Sequence, residues 1–348
     1  MSIDIIVDFF ESFSGLRLIC GDIFAVKKLK YHLFQESMMD TYNCGRIIEI
    51  SSLNHFLKKE RGSLGIYCDG HKVGSVAFDD IQAIIFNAYD LCYTHSLLNE
   101  FAERKIPVIF CNKKHTPTSM ILPYDSYFHQ SRRTLHQAQA KKPVNKQLWK
   151  SIVSAKLTQQ AYTLELLGKR YKYLLELIKE IKSNDSTNCE GQAARYYFTE
   201  LFGKDFIRDR NQPGSNSLLN YGYIIFRSAM ARAIVSYGLN PSIGIKHCNP
   251  NNSMPLVDDL LEPFRPLIDI EVYEMYIKEG QFELDTENKI RLVSLLNRSI
   301  RTGQIRTTPN YIMHKTAASL GRIYDGDSKK LYLPFMYFAN TYKKIKTG

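Results

Sequence analysis

The sequence predicts an α+β protein, with a small N-terminal β-rich domain that carries one helix and a larger all-α domain after it. Apolar runs of strand length occur up to about residue 123, a helical period follows, and 44% of the residues are hydrophobic, which is enough to build cores. The length of 348 residues suggests about two domains. We therefore divide the chain into an unassigned extension at 1–43, a β-rich domain at 44–127 and a helical domain at 128–348.

Strands are predicted where β-branched and aromatic residues cluster in short runs. Asp69-Gly70 lies between two such runs and is typical of a type I′ hairpin, which needs positive φ at both central residues. Residues 95–106 are apolar at helical spacing and predict the helix of this domain. The strand-like runs are RIIEIS from Arg46, LGIYCDGHKVGSVAF from Leu64, QAIIFNA from Gln82, PVIFCN from Pro107 and SMILP from Ser119.

After Pro123 apolar residues recur at helical spacing. Residues 145–181 predict either one long helix or two helices joined near Gly168. Clusters of turn-forming residues separate the later segments. Further helices are predicted over 191–201, 217–237, 255–278, 287–301 and 310–323.

Positive charge is concentrated in one part of the chain. There are 46 Lys and Arg against 35 Asp and Glu, a formal net charge of +11, which favours a polyanion such as nucleic acid as a partner. Residues 131–182, here called the basic segment, contain twelve basic and three acidic residues. The basic segment is either a surface that follows a phosphate backbone or an ordinary solvated helix face, and charge alone does not separate the two.

Seven scattered cysteines, none in a C-x-x-C pair, argue against a disulfide framework or a thiolate zinc site and favour a reducing cytosol. The first residues lack a basic n-region and do not resemble a signal peptide. No apolar run approaches the roughly 20 residues that a membrane-spanning helix needs. We therefore expect a soluble protein with no membrane partner.

The best candidates for chemistry are one histidine and nearby carboxylates. His247 is followed closely by Asp259 and Glu262, which are three residues apart and share a helix face. Imidazole and carboxylates suit Mg²⁺ or Mn²⁺, ions that activate phosphodiesters. Such aspartates can also simply offset a helix dipole, and so can Glu190, which opens another predicted helix.

Several blocks, taken in order, resemble the integrase subunit of the CRISPR spacer-acquisition machinery, a CRISPR-associated endonuclease. The resemblance covers about residues 46–300 and is most specific in NSLLNYGY, GLNPSIGIKH and DLLEPFRP. With a glutamate where some branches have aspartate, the last block most resembles the branch from systems with a single large RNA-guided effector nuclease. The blocks AIIFNAYDLCYTHSLLNEFAERKIPVIFCNKKHTP and CEGQAARYYFTELFG also match.

The resemblance implies a divalent ion, Mg²⁺ or Mn²⁺, held by the catalytic residues Glu190, His247 and Glu262, with Asp259 supporting or sharing it. It implies a metal-dependent DNA endonuclease and integrase. The 3′ ends of short foreign DNA would attack repeat phosphodiesters of a CRISPR array by transesterification, giving immunity to phage and plasmids, and water in place of the 3′-hydroxyl would give hydrolysis. Expected DNA contacts are Arg132, Arg133, Lys141, Lys142, Arg208 and Arg210.

The resemblance also implies partners and a prokaryotic cytosol. The β-rich domain would form a homodimer that docks on a small ferredoxin-like subunit and binds incoming DNA and the leader-repeat junction. The large effector nuclease is a further candidate partner. Two alternatives stay open: a stand-alone structure-specific nuclease on branched DNA, and a non-catalytic DNA-binding scaffold. Residues 1–43 do not match the family, and 1–35 are either a lineage-specific extension or an over-extended translation start.

Overall fold

The computed structural model describes residues 46–51, 54–113, 117–123, 130–209, 214–247, 249–280 and 283–338. The extension at 1–43, Arg210 and the domain boundary expected after residue 127 lie outside these residues. The chain divides between His115 and Thr116 into two compact units, and each is described by itself. None of the helices in the described ranges is long and apolar enough to cross a membrane.

The first unit is rich in strands, as expected. Its described strands and its helix are β1 (Arg46–Ile50), β2 (His55–Glu60), β3 (Ser63–Cys68), β4 (His71–Ala77), β5 (Ile81–Phe86), β6 (Cys92–Tyr93), α1 (His95–Glu103) and β7 (Val108–Cys111). Strands β1, β5 and β7 lie side by side in parallel. Strands β4, β3 and β2 pair antiparallel in that order, and β6 adds to β2 in parallel.

The hairpin expected at Asp69-Gly70 is confirmed. Cys68 pairs with His71, so two residues connect β3 and β4. Asp69 has φ 50° and Gly70 has φ 80°, the two positive values that a type I′ turn requires. The short local pattern was sufficient here because the turn residues alone fix the connection.

The second unit is mainly helical. Its described elements are β8 (Pro117–Ile121), α2 (Gln130–Ala138), α3 (Lys142–Leu166), α4 (Lys172–Glu180), α5 (Cys189–Phe202), α6 (Ser215–Ser236), α7 (Pro255–Leu261), α8 (Arg265–Tyr273), α9 (Thr286–Ser294), β9 (Ile300–Thr302), β10 (Ile305–Thr307), α10 (Pro309–Tyr324) and β11 (Tyr337–Phe338). Helices α3 and α6 supply much of the core, with Trp149 and Leu157 from α3 and Phe226 from α6 fully buried. The expected α+β architecture, strands first and helices after, is confirmed.

Two helices, and not one, occupy residues 145–181. Helix α3 ends at Leu166 and α4 begins at Lys172, and Gly168 between them has φ 66°. Glycine takes this left-handed conformation without the steric cost of a Cβ atom. The two-helix alternative is therefore correct.

The continuous helix expected over 255–278 is wrong. Helix α7 stops at Leu261, a 3₁₀ turn spans Glu262–Phe264, α8 runs to Tyr273, and a π-helical turn covers Glu274–Lys278. Pro263 explains the first interruption because it lacks the N–H that an α-helix would use there. Glu262 therefore lies at a break in the helix.

The helix expected over 287–301 is wrong at its C-terminal end. Helix α9 ends at Ser294, and Ile300–Thr302 forms a strand between β10 and β11. Thr302 pairs with Ile305 across a two-residue turn that begins with Gly303, at φ 59°. An alternation only three residues long was too short to read as a strand, so the helical domain was wrongly expected to lack strands.

Candidate metal centre

Four segments of the second unit bring the expected ligands to one place. Lys156 lies in the middle of α3, and Glu190 is in the first turn of α5. His247 lies in the loop after α6. Asp259 is near the end of α7, and Glu262 begins the 3₁₀ turn that follows. Residues far apart in sequence thus meet in one cluster.

A buried lysine joins the two glutamates. The ammonium Nζ of Lys156 lies 2.7 Å from Oε1 of Glu190 and 2.5 Å from Oε2 of Glu262. The side chains of Lys156 and Glu262 are each only 10% exposed. Although burial opposes its charge, the carboxylates of Glu262 and Glu190 raise the pKa of Lys156, so it stays an ammonium.

Glu262 is held ionised by a second cation. The guanidinium Nε of Arg265 lies 2.8 Å from its other oxygen, Oε1. Burial disfavours the carboxylate, but Arg265 and Lys156 outweigh burial and lower the pKa of Glu262 to about 2. At neutral pH this side chain is an anion with both oxygens engaged.

Asp259 organises the loop that carries His247. Its carboxylate is fully buried, and Oδ2 accepts hydrogen bonds from the backbone N–H groups of Ile245, at 2.7 Å, and Lys246, at 2.9 Å. Oδ1 is paired with Nδ1 of His247 at 2.5 Å. The loop turns so tightly that a Cβ atom on Gly244 would lie 2.4 Å from the His247 carbonyl oxygen.

The imidazole of His247 is therefore fixed in orientation. Its Nδ1 is committed to Asp259, which leaves Nε2 as the ring nitrogen for a ligand. The ring meets Trp149 edge to face, with 5.3 Å between centroids. The hydrogen bond to Asp259 and the charges of Asp259, Glu190 and Glu262 raise the pKa of His247, against the opposing effect of partial burial.

Glu190 is positioned by a capped helix N-terminus. The carboxylate of Asp185 accepts hydrogen bonds from the backbone N–H of Cys189, at 2.9 Å, and of Glu190, at 3.0 Å. These are two of the donors that a helix leaves unpaired at its start. Asp185 and Asn188 have φ 50° and 53°, so the chain turns sharply into α5.

The chemistry of this donor set fits a divalent cation. Two carboxylates already share one cation, and a histidine braced by a carboxylate through Nδ1 is the usual arrangement of a metal-binding imidazole. As they stand, no three His, Cys, Asp or Glu side chains in the described ranges are arranged to hold a metal ion. The Lys156 ammonium lies between two of the three proposed ligands.

Sequence reasoning missed three residues of this cluster. Lys156 was counted only as part of the basic segment, and Arg265 and Asp185 were not singled out. The signal for Lys156 was present, since it follows Ile152 by four residues on the apolar face of α3. A lysine on a buried stripe needs buried acidic partners.

The side chains expected to contact DNA differ in their exposure to solvent. Arg132, Lys141 and Lys142 are exposed. Arg133 is buried, pairs with Asp325 and donates 2.7 Å to the Tyr237 carbonyl oxygen, so its guanidinium is not on the surface. Arg208 donates to the side chains of Asn216 and Asn220, at 2.9 and 2.7 Å.

Comparisons with known proteins identify the family of the chain. Residues 48–302 match the family described as CRISPR associated protein Cas1. A relative named CRISPR-associated endonuclease Cas1, from Neisseria meningitidis serogroup C (strain 8013), is 33% identical over 265 residues, which cover 75% of this chain and 86% of the relative.

Two solved structures share the fold. One, a casposase bound to integration product, gives a TM-score of 0.69 at 19% identity over 82% of this chain and 92% of its own. The other, a Cas6-RT-Cas1–Cas2 complex, gives a TM-score of 0.67 at 16% identity over 83% of this chain and 36% of its own. Since the family match spans most of the sequence, the chain belongs to the CRISPR associated protein Cas1 family.

Proposed function

We propose that the protein is a metal-dependent DNA endonuclease and integrase that inserts short foreign DNA into a CRISPR array. The observation that carries this proposal is the cluster of Glu190, Glu262 and an oriented His247 in a member of the Cas1 family. The relative from Neisseria is named an endonuclease, and the casposase was solved with an integration product. Both names agree with chemistry on DNA phosphodiesters.

Glu190, His247 and Glu262 would hold Mg²⁺ or Mn²⁺, with Asp259 fixing the histidine. The ion would supply Lewis-acid chemistry, polarising a phosphodiester and easing ionisation of the attacking hydroxyl. Asp259 keeps the proton of His247 on Nδ1, so Nε2 presents its lone pair. Arg265 keeps Glu262 ionised and limits its rotation.

The reaction conserves the number of phosphodiester bonds. The oxygen of an incoming 3′-hydroxyl bonds to phosphorus in the repeat, one existing P–O bond breaks, and the displaced strand leaves with a free hydroxyl. The attacking oxygen loses a proton and the leaving oxygen gains one. No high-energy cofactor is needed. Attack by water at the same phosphorus would give hydrolysis.

The partners are part of this proposal. We propose duplex DNA as the substrate, a homodimer formed through the β-rich domain, and a small ferredoxin-like subunit. The Cas1–Cas2 complex among the solved structures of similar fold supports the small subunit. The glutamate at 262 supports the branch with a single large RNA-guided effector nuclease, which would be a further partner. Genes for the small subunit and the large effector nuclease next to this gene, together with a repeat array, would support these two partners.

The test is a strand-joining assay with purified protein, Mn²⁺, a short duplex with 3′-hydroxyl ends and a supercoiled plasmid that carries a repeat. Joining should be lost in Glu190→Gln, His247→Ala and Glu262→Gln. The control Glu176→Ala should join normally, because Glu176 is exposed and pairs with Lys179 on the surface. If wild type and His247→Ala join equally well, the site is wrongly assigned.

Other outcomes separate the two alternatives. Cleavage of branched DNA without any joining would favour a stand-alone nuclease. DNA binding without cleavage or joining in any metal would favour a non-catalytic scaffold.

A further inference from the structure

The Lys156 ammonium occupies the position where the two glutamates face each other. It lies within ion-pair distance of both Glu190 and Glu262, and its side chain is 10% exposed. Removing an ammonium from water is costly unless it is paired. Its place in the middle of α3, one turn after the fully buried Ile152, holds the ammonium at this point.

A cation is needed here in the absence of metal. Glu190, Glu262 and the buried Asp259 are all carboxylates in one cluster, and His247 lies beside them. Like charges this close destabilise each other unless a positive charge lies between them. Arg265 contacts Oε1 of Glu262, whereas Lys156 contacts Oε2 of the same carboxylate. Lys156 is the cation that contacts both glutamates.

A divalent ion held by Glu190 and Glu262 would compete with Lys156 for these two carboxylates. Oε1 of Glu190 and Oε2 of Glu262 are the atoms that Lys156 contacts, so a second cation at these carboxylates would be repelled by the ammonium.

We infer that Lys156 is an internal competitor of the divalent metal: its ammonium bridges Glu190 and Glu262 in the metal-free protein and must be displaced for the metal to bind. This inference rests on the proposed metal site. Lys156 is therefore a positioning residue that keeps the two carboxylates together and weakens their affinity for the metal. Lys156 thus keeps the site assembled without metal, and the same contact lowers the affinity of the site for metal.

The test is equilibrium binding of Mn²⁺, with no catalysis involved. Trp149 is the only tryptophan of the chain and packs against His247, so its fluorescence reports on binding directly. Mn²⁺ electron paramagnetic resonance gives an independent value of Kd. Lys156→Met, which keeps the length of the side chain without its charge, should bind Mn²⁺ at least tenfold more tightly than wild type. Lys146→Met, an exposed position on the same helix, should bind as wild type does.

The outcomes distinguish this inference from the metal site itself. If Lys156→Met binds Mn²⁺ no more tightly than wild type, Lys156 is not a competitor, although the metal site stands. If wild type, Lys156→Met and Glu190→Gln all fail to bind Mn²⁺ in both measurements, the proposed metal site is wrong.

A measurement on the wild type covers the case in which Lys156→Met does not fold. Lysine acetylation followed by mass spectrometry should show Lys156 protected without metal and modified several times faster at saturating Mg²⁺. An acetylation rate of Lys156 that Mg²⁺ leaves unchanged would contradict the inference, since the ammonium would not have been released.

Discussion

At the residue scale, Asp259 and Glu262, three positions apart, have different roles. Their spacing predicted a shared helix face, and both were candidates for the metal. In the structure Glu262 contacts Lys156 and Arg265. The carboxylate of Asp259 instead forms its hydrogen bonds with the loop of residues 245–247. Both acids are buried, so the protein must supply their partners, and the different partners set the different roles: backbone N–H groups and an imidazole for Asp259, two cations for Glu262.

We expect Asp259→Ala to lower the free energy of unfolding by about 2–5 kcal/mol, since three charge-assisted hydrogen bonds are lost in a buried place. Metal affinity and joining activity should fall about 10–100-fold, because His247 loses its orientation. Urea denaturation and Mn²⁺ titration measure the two effects.

The neighbouring acid provides the control for this variant. Asp258 pairs with Arg227 and lies on a different side of α7 from the cluster. Asp258→Ala should leave Mn²⁺ affinity unchanged and cost less stability than Asp259→Ala. Equal losses of metal affinity in both variants would contradict the role given to Asp259.

A further buried acid, Asp269, makes the stability of the protein depend on pH. Burial raises the pKa of Asp269 from 3.8 to about 6, although the Tyr223 hydroxyl donates a hydrogen bond to it. Since the folded state holds this proton more tightly than the unfolded state, the stability that it contributes is present at low pH and is lost as pH rises towards and through 6. Over the whole pH range, the shift in the pKa of Asp269 changes the free energy of unfolding by about 3 kcal/mol.

We expect Asp269→Asn to remove this dependence. Between pH 5 and pH 7.5 the wild type should lose roughly 1–2 kcal/mol that the variant does not lose. Urea unfolding of both proteins at the two pH values measures this difference. If the variant and the wild type change in parallel with pH, Asp269 is not the group responsible.

At the element scale, helix starts and helix breaks position the two glutamates. Asp185 caps α5 and fixes the backbone of Glu190. Pro263 ends α7, so Glu262 leaves the regular helix where it meets α3. Proline and a capping acid are local signals that a sequence carries. Their effect on chemistry appears only when the elements pack together.

We expect Asp185→Ala to cost more than the roughly 1 kcal/mol of a lost cap, because alanine is also strained at φ 50°, and to reduce joining as well. A matched control exists in Asp285, whose Oδ1 caps α9 by accepting a hydrogen bond from the Asn288 N–H at 2.8 Å. Asp285→Ala, at φ −79°, should lose about 1 kcal/mol of stability with the cap alone and leave joining intact. Thermal unfolding measures the stability of both variants, and the joining assay measures their activity. A loss of joining in both variants would show that stability, and not the placement of Glu190, is responsible.

At the scale of the whole molecule, the positive charge is divided between surface and interior. Lys141 and Lys142 of the basic segment are exposed, whereas Lys156 and Arg133 are buried in ion pairs. A count of charges along a sequence cannot separate these classes. The segment therefore offers DNA fewer cations than its composition suggests.

We expect the double variant Lys141→Ser, Lys142→Ser to bind duplex DNA more weakly and to reduce the slope of log K against log salt by about 2, since each lost phosphate contact contributes about 0.9. Fluorescence anisotropy at several salt concentrations measures the slope. The control, Lys329→Ser with Lys330→Ser, removes two exposed lysines outside the basic segment. If both double variants change the slope equally, the contribution is only general charge.

Much of the fold and part of the site could be predicted. The hairpin at Asp69-Gly70 and the break near Gly168 followed from turn chemistry. The strand at Ile300–Thr302 did not, because three residues are too few to show an alternation, although the strand pairs both with adjacent β10 and with β11. His247, Asp259 and Glu262 were candidates from their residue types and spacing, but the roles of these residues and of Glu190 at the metal came from the resemblance, since each alone resembled an ordinary helix-start acid or a lone histidine.

The sequence by itself determined the α+β class, the turns at Asp69-Gly70 and Gly168, and the family blocks, because these depend on neighbours within a few residues. Only the tertiary structure decided that Lys156 joins Glu190 to Glu262, that Asp259 holds His247, and that Arg133 is buried. The physical reason is burial: the pairing of a charge depends on which groups share its low-dielectric surroundings, and packing sets those surroundings.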